Sequence, residues 1–286
     1  MRRWLIVLAL ASSADAFAQP VTNALPDTGD PAVIALLNAS DQLVCTAAVI
    51  APHTVLTAAH CLAGKPLTLQ AFFGSSVEDG GTKIAVTDAR QHPQFDPGGN
   101  DIGVITLADP APVTPLPLAP PIDGSIVDTT FRVVGFGTTG AAGGEGVKRL
   151  GTAKVAGISA EDFIAVPDLS LSCLGDSGGP ALFTGDTIAG VVSRVDGQCV
   201  DHAVYTRVDI AMDVLIQPYL DETAPGAADE GEPCFYDGHC ASGLECVGDT
   251  TRTCESTGCG CRTSKPSGLW LIVLALLIRR RNQNGV

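Results

Sequence analysis

Ser177 stands in the run Cys173-Leu-Gly-Asp-Ser-Gly-Gly-Pro180, a serine inside a glycine-rich turn. A hydroxyl attacks an amide only where a base takes its proton and donors stabilise the oxyanion that forms. Glycines let backbone N–H groups converge on one point and leave room for a substrate. The N–H groups of Gly175 and Ser177 are the candidate donors. Histidine has the ordinary pKa that suits the base, and Thr57-Ala-Ala-His-Cys61 supplies His60 at the end of an apolar stretch. A carboxylate must then hold the imidazole in one tautomer and stabilise imidazolium. Asn100-Asp-Ile-Gly-Val-Ile-Thr-Leu107 supplies Asp101, followed by a strand that reads as buried.

Three side chains so far apart in sequence need a fold to bring them together. Short β-branched runs at 33–37, 44–50, 55–57, 67–73, 84–87 and 102–107 are broken by Gly, Pro, Asp and Asn, the pattern of strands and turns. Residues 109–121 hold a proline-rich stretch that cannot donate to a sheet ladder and reads as a linker. A second set of runs follows at 131–134, 148–155, 163–166, 181–183, 187–192 and 203–206. Many short strands without a long helical period predict an all-β chain of two antiparallel barrels or sandwiches. One helix is expected over 209–220, capped by Asp209, with an apolar stripe of Ile210, Val214 and Leu215 or Ile216.

The motifs TAAHC, NDIGVITL and GDSGGP occur in the order His, Asp, Ser. With these residues the chain resembles the trypsin/chymotrypsin family of serine proteases over about residues 21–221. The resemblance implies two six-stranded β-barrels with the site in the cleft between them. It also implies His60 as general base and then acid, Asp101 as its orienting carboxylate and Ser177 as nucleophile, with Ser193 supporting the buried aspartate. Disulfides Cys45–Cys61 and Cys173–Cys199 are implied in the same way, and no cofactor or metal is called for.

By the same resemblance Leu171, with Ser172 beside it, lies at the floor of the specificity pocket, and Val195 and Ala203 form its walls. No charge is available there to pair with a substrate Arg or Lys. The expected preference is for small aliphatic residues such as Ala or Val. Family members become active when a new Ile or Val ammonium is buried beside the aspartate preceding the serine, here Asp176. Val21 is the candidate new terminus, exposed by removal of Gln19-Pro20.

The remaining features concern where the chain works. Its 286 residues carry a formal net charge of −14, which argues against a nucleic-acid partner because phosphate binding needs clustered Lys and Arg. Polypeptide substrates and a monomer are the expected partners and state. Ten cysteines, six of them between Cys234 and Cys261, argue for disulfides formed in an oxidising compartment. Residues 1–18 have the basic start, apolar core and Ala16-Phe17-Ala18 end of a secretory signal peptide. After the protease-like residues 19–221 come an acidic linker at 222–233 and a disulfide-rich module at 234–257. Residues 258–286 hold Gly258-Cys-Gly-Cys-Arg262, an apolar run too short for an ordinary spanning helix, and Arg279-Arg-Arg281. This tail resembles the myxobacterial C-terminal sorting signal, which implies anchoring at the outer cell surface or membrane.

Overall fold

Alternating and fully apolar β-branched runs pair into two barrels. The computed structural model describes residues 24–64, 66–139, 143–223, 245–247 and 253–256. In chain order the strands are β1 (Leu25–Pro26), β2 (Val33–Leu37), β3 (Leu43–Ala51), β4 (Thr54–Thr57), β5 (Gln70–Phe73), β6 (Thr82–Gln91) and β7 (Gly103–Leu107). The second set is β8 (Thr130–Gly135), β9 (Arg149–Ile158), β10 (Asp162–Pro167), β11 (Pro180–Leu182), β12 (Ile188–Val195) and β13 (Ala203–Arg207), followed by helix α1 (Gln217–Thr223).

The first barrel closes in the order β2-β3-β4-β7-β6-β5, with β5 pairing back to β2 antiparallel. Ile34, Leu36, Val49, Val55 and Ile105 fill it. The second runs β9-β10-β13-β12-β11-β8 and closes through the β8–β9 pairing, with β1 added at the edge of β9. Its centre is aromatic: Phe163 stacks on Tyr205 at 5.1 Å, and Phe131 meets both rings edge-on. Both barrels are thus six-stranded and antiparallel, as the resemblance implies.

A third apolar cluster locks the barrels together. It joins Ile50, Leu56, Ile102 and Val104 of the first to Val134, Leu182 and Val191 of the second, under Leu215, Ile216, Tyr219 and Leu220 of the C-terminal segment. Each such side chain stabilises the association by about 1.5–3 kcal/mol when fully buried. The two barrels are therefore held together by core packing and not only by the linker, which itself bridges to β12 through Leu118 and Ile188.

Four local expectations change. The run at 67–73 becomes strand only from Gln70, because Pro66–Thr68 form a 3-10 turn; proline has no N–H for a ladder. The helix over 209–220 is a 3-10 turn (Asp209–Ala211), one wide π turn (Met212–Ile216) and then α1. Asp209 does not cap it; its carboxylate binds the Arg207 guanidinium at 2.7 Å and accepts from the Ile122 N–H at 3.1 Å. The wide turn also rotates the apolar stripe, so Val214 is 51% exposed while Leu215 and Ile216 are buried.

Glu222 and Thr223, placed in the acidic linker on sequence grounds, form the last residues of α1. Glu222 Oε2 pairs with Arg90 at 2.9 Å, and Thr223 Oγ1 donates to the Tyr219 carbonyl at 2.7 Å. Of the disulfide-rich module, β14 (Glu245–Val247) and β15 (Thr253–Glu255) form an antiparallel pair with Cys246 opposite Cys254. The signal peptide, Val21, the rest of the linker and the C-terminal sorting signal lie outside the described residues.

Candidate active site

His60 and Asp101 come from the first barrel. His60 sits in a 3-10 turn, Ala59–Leu62, that follows β4 directly. The Cys45–Cys61 disulfide ties that turn to β3, and Gln91 Nε2 donates to the Ala59 carbonyl at 2.7 Å. Asp101 leaves a loop whose last residue, Asn100, has φ +53°, a left-handed conformation that asparagine tolerates better than most residues. His92 braces this loop. Its N–H donates to the Ile102 carbonyl, and its buried ring accepts from the Gln94 N–H through Nδ1.

The two side chains meet closely. His60 Nδ1 lies 2.7 Å from Asp101 Oδ2, and the His60 backbone N–H donates to Asp101 Oδ1 at 2.9 Å. Ser193, on β12 of the second barrel, donates to Asp101 Oδ2 at 2.7 Å. Asp101 is buried, while the His60 side chain is 39% exposed. Burial pushes the Asp101 carboxyl up, but hydrogen bonds from the His60 ring, the His60 N–H and Ser193 outweigh it and hold it below the usual aspartate range. An ionised carboxylate only accepts, so in the neutral ring the proton belongs on Nδ1 and Nε2 is free to accept one. His60 Nε2 lies 3.7 Å from Cys61 Sγ, and the same sulfur is 3.8 Å from the Ser177 carbonyl oxygen. The His60 ring and the serine turn thus flank one sulfur.

The turn from Cys173 to Gly179 is braced by its own backbone and by β3. Gly175 has φ +93° and Gly178 has φ +79°, both in the left-handed region; a Cβ on Gly178 would run into Thr57 Oγ1 and the Thr46 carbonyl. Asp176 N–H donates to Cys173 O at 3.0 Å, Gly178 N–H to Val192 O at 2.7 Å and Gly179 N–H to Asp176 O at 2.8 Å. Among the described residues no acceptor meets the N–H of Gly175 or of Ser177. Those two donors are left over in a half-buried turn, where an unpaired N–H has a free-energy cost.

Asp176 is buried beneath the turn. It accepts from the Gly137 N–H at 2.7 Å and the Cys173 N–H at 2.8 Å. Burial pushes its pKa up to about 6 against these two bonds and the distant Arg149 charge.

The predicted pocket residues fall on the second barrel. Leu171 and Ala203 are fully buried in its core cluster, with Val195 packed against them. Val195 and Ala203 are paired across β12 and β13. Ser172 Oγ is 2.6 Å from the Tyr205 hydroxyl, a bond between two buried side chains. The Cys173–Cys199 disulfide joins the serine turn to the short loop after Val195.

Two residues were missed by sequence reasoning. Asp196 accepts four backbone N–H bonds, from Gln198, Val200, Asp201 and His202, at 2.8–3.2 Å, and so folds the loop that carries Cys199. Its place directly before a Gly-Gln turn is the signal of an Asx-type turn. Thr46, the residue after Cys45, gives no such signal. One cluster of potential metal ligands occurs among the described residues, Cys45, His60 and Cys61. Its two sulfurs are bonded to each other, so it has no thiolate to offer.

The chain matches the family described as Trypsin over residues 22–215. It belongs to the trypsin family of serine proteases. A trypsin from Saccharopolyspora erythraea is 31% identical over 212 residues, which cover 65% of this chain and 92% of that protein. Among solved structures, neuropsin, a serine protease of mouse brain, superposes with a TM-score of 0.59 at 22% identity, covering 69% of this chain and 96% of its own. Human heparin binding protein gives 0.62 at 21% identity, covering 72% and 99%. At these identities the two structures speak for the fold alone.

Proposed function

We propose that this trypsin-family chain is a serine endopeptidase in which Ser177 is the nucleophile. Ser177 Oγ attacks the carbonyl carbon of the scissile peptide bond, and its proton passes to His60 Nε2. The carbonyl oxygen becomes an oxyanion and accepts from Gly175 N–H and Ser177 N–H. His60 then gives its proton to the departing amine nitrogen as the C–N bond breaks, leaving an acyl-enzyme. Water repeats the sequence and releases the acid. Asp101 keeps the proton on Nδ1 and stabilises the imidazolium. The observation that carries this reading is the 2.7 Å His60–Asp101 contact, with Ser193 bonded to the same carboxylate oxygen.

The apolar Leu171, Val195 and Ala203 support cleavage after small aliphatic residues such as Ala or Val. Activation through Val21 is supported by Asp176, a buried carboxylate without a cationic side chain in contact among the described residues. Secretion fits the two disulfides of the protease domain. Anchoring at the cell surface rests on the sequence of the tail. Heparin binding is not carried over to this chain, because a net charge of −14 repels a polyanion.

A fluorophosphonate probe tests the nucleophile, and a panel of peptide amides tests the pocket. Labelling of the processed protein that disappears in Ser177→Ala, with fastest turnover after Ala or Val, is the expected result. No labelling of the processed protein would replace the enzyme with a non-catalytic surface recognition protein. Fast cleavage after Arg or Phe alone would overturn the small-aliphatic preference.

A further inference from the structure

Thr46 is a hydroxyl residue at 0% exposure in the middle of β3, whose neighbours Ala47, Ala48 and Val49 are apolar and buried. A buried polar group is destabilising unless it is bonded, and three of the four bonds made by Thr46 lead to the serine turn or the strand end facing it. Its Oγ1 donates to the Gly175 carbonyl at 2.9 Å and accepts from the Phe136 N–H at 3.1 Å. Its own N–H donates to the Ser177 carbonyl at 2.9 Å. Its carbonyl accepts from Thr57 Oγ1 at 3.0 Å.

These bonds decide the orientation of the peptide planes around the two unpaired donors. The plane holding Gly175 N–H is fixed at its other end, where Thr138 N–H donates to the Leu174 carbonyl at 2.7 Å. The plane holding Ser177 N–H is fixed by Gly179 N–H on the Asp176 carbonyl at 2.8 Å. Between them lies the Gly175–Asp176 peptide. Its N–H is held by Cys173 O, and its carbonyl by the Thr46 hydroxyl. Gly175 has no side chain to stiffen this plane, so its carbonyl end depends on Thr46.

We propose that Thr46 is a positioning residue: its hydroxyl fixes the Gly175–Asp176 peptide so that the N–H groups of Gly175 and Ser177 converge on one oxyanion. This rests on the proposed roles of those two donors. Thr46 touches no reacting atom, and the packing of β3 does not require the hydroxyl, since valine has nearly the same shape. What valine lacks is the donor for Gly175 and the acceptor for Phe136.

The test compares processed wild-type protein with Thr46→Val and Thr46→Ser on one peptide amide. It also compares their affinity for a peptide aldehyde, which forms a tetrahedral adduct. Misplacing catalytic donors costs about 10- to 100-fold. Thr46→Val should lose that factor in kcat and in aldehyde affinity while KM changes little, and Thr46→Ser should recover most of it. A purely structural threonine would lower the melting temperature without this split. Should Thr46→Val not fold, Thr46→Ala, which removes the hydroxyl without new bulk, takes its place. Wild-type kcat in the folded variant, or an equal loss in Thr46→Ser, overturns the inference. Wild-type protein that the fluorophosphonate fails to label overturns the endopeptidase reading and this inference together; an active wild type with an indifferent Thr46 overturns the inference alone.

Discussion

Asp176→Asn in the unprocessed chain should change how stability depends on pH. Burial lifts the Asp176 carboxyl from its ordinary 3.8 to about 6 in the folded protein. The gap between these values corresponds to about 3 kcal/mol. The folded state holds the proton more tightly than the unfolded chain, so folding is favoured most below the unfolded value. That stability is lost as pH rises through about 6, where the buried group must ionise. Asparagine removes the titration, although its amide cannot accept from both the Gly137 and Cys173 N–H groups as well as the carboxylate does. The constant part of its effect therefore has either sign, and the pH-dependent part is the prediction. Urea midpoints for the Ser177→Ala background, with and without Asp176→Asn, measured from pH 4 to pH 7, isolate it. The variant should gain about 2 kcal/mol relative to its parent across that range, the rest of the gap lying below pH 4. In the chain processed to Val21 the trend should vanish over this range, because an ammonium beside the carboxylate favours its charged form and moves its titration below the unfolded value. Parallel pH profiles for the unprocessed pair would refute the buried, unpaired carboxylate on which the activation argument rests.

Gly137→Ala places a Cβ 2.6 Å from the Asp176 carboxyl carbon, closer than real Cβ atoms come. Gly137 does not need a left-handed backbone, so the clash alone acts; overpacking of about 1–3 kcal/mol should lower the melting temperature by about 2–12 °C and reduce activity. An unchanged melting curve would mean that the carboxylate is free to move. Asp196→Ala removes the acceptor for four backbone N–H groups and should raise KM for the preferred amide several-fold, about 1 kcal/mol, with little change in kcat. Equal KM and selectivity would show that the Cys173–Cys199 disulfide holds the loop unaided.

The sequence by itself determined the family, the order of the three motif residues and the all-β class, because each rests on local chemistry. A glycine-rich turn around Ser177, a β-branched run before His60 and after Asp101, and proline at 109–121 are legible one segment at a time. The barrel strands were legible for the same reason, apart from Pro66–Thr68, where a turn replaced the first part of an expected strand, whereas the short β1, β14 and β15 carry no such run. Helix capping by Asp209 was not, because Arg207 and Ile122 compete for its carboxylate from within the second barrel. Thr46 was invisible as a site residue for a related reason, and Asp196 signals a turn but not the four N–H groups it gathers. A threonine in a strand and an aspartate before a glycine are ordinary in sequence. Only closure of the barrels brings Thr46 Oγ1 against Gly175, 129 residues away, and only the folded loop aims four N–H groups at Asp196. The residue types that do chemistry are written locally; the donors that must hold them to within fractions of an ångström come from whatever the tertiary packing delivers.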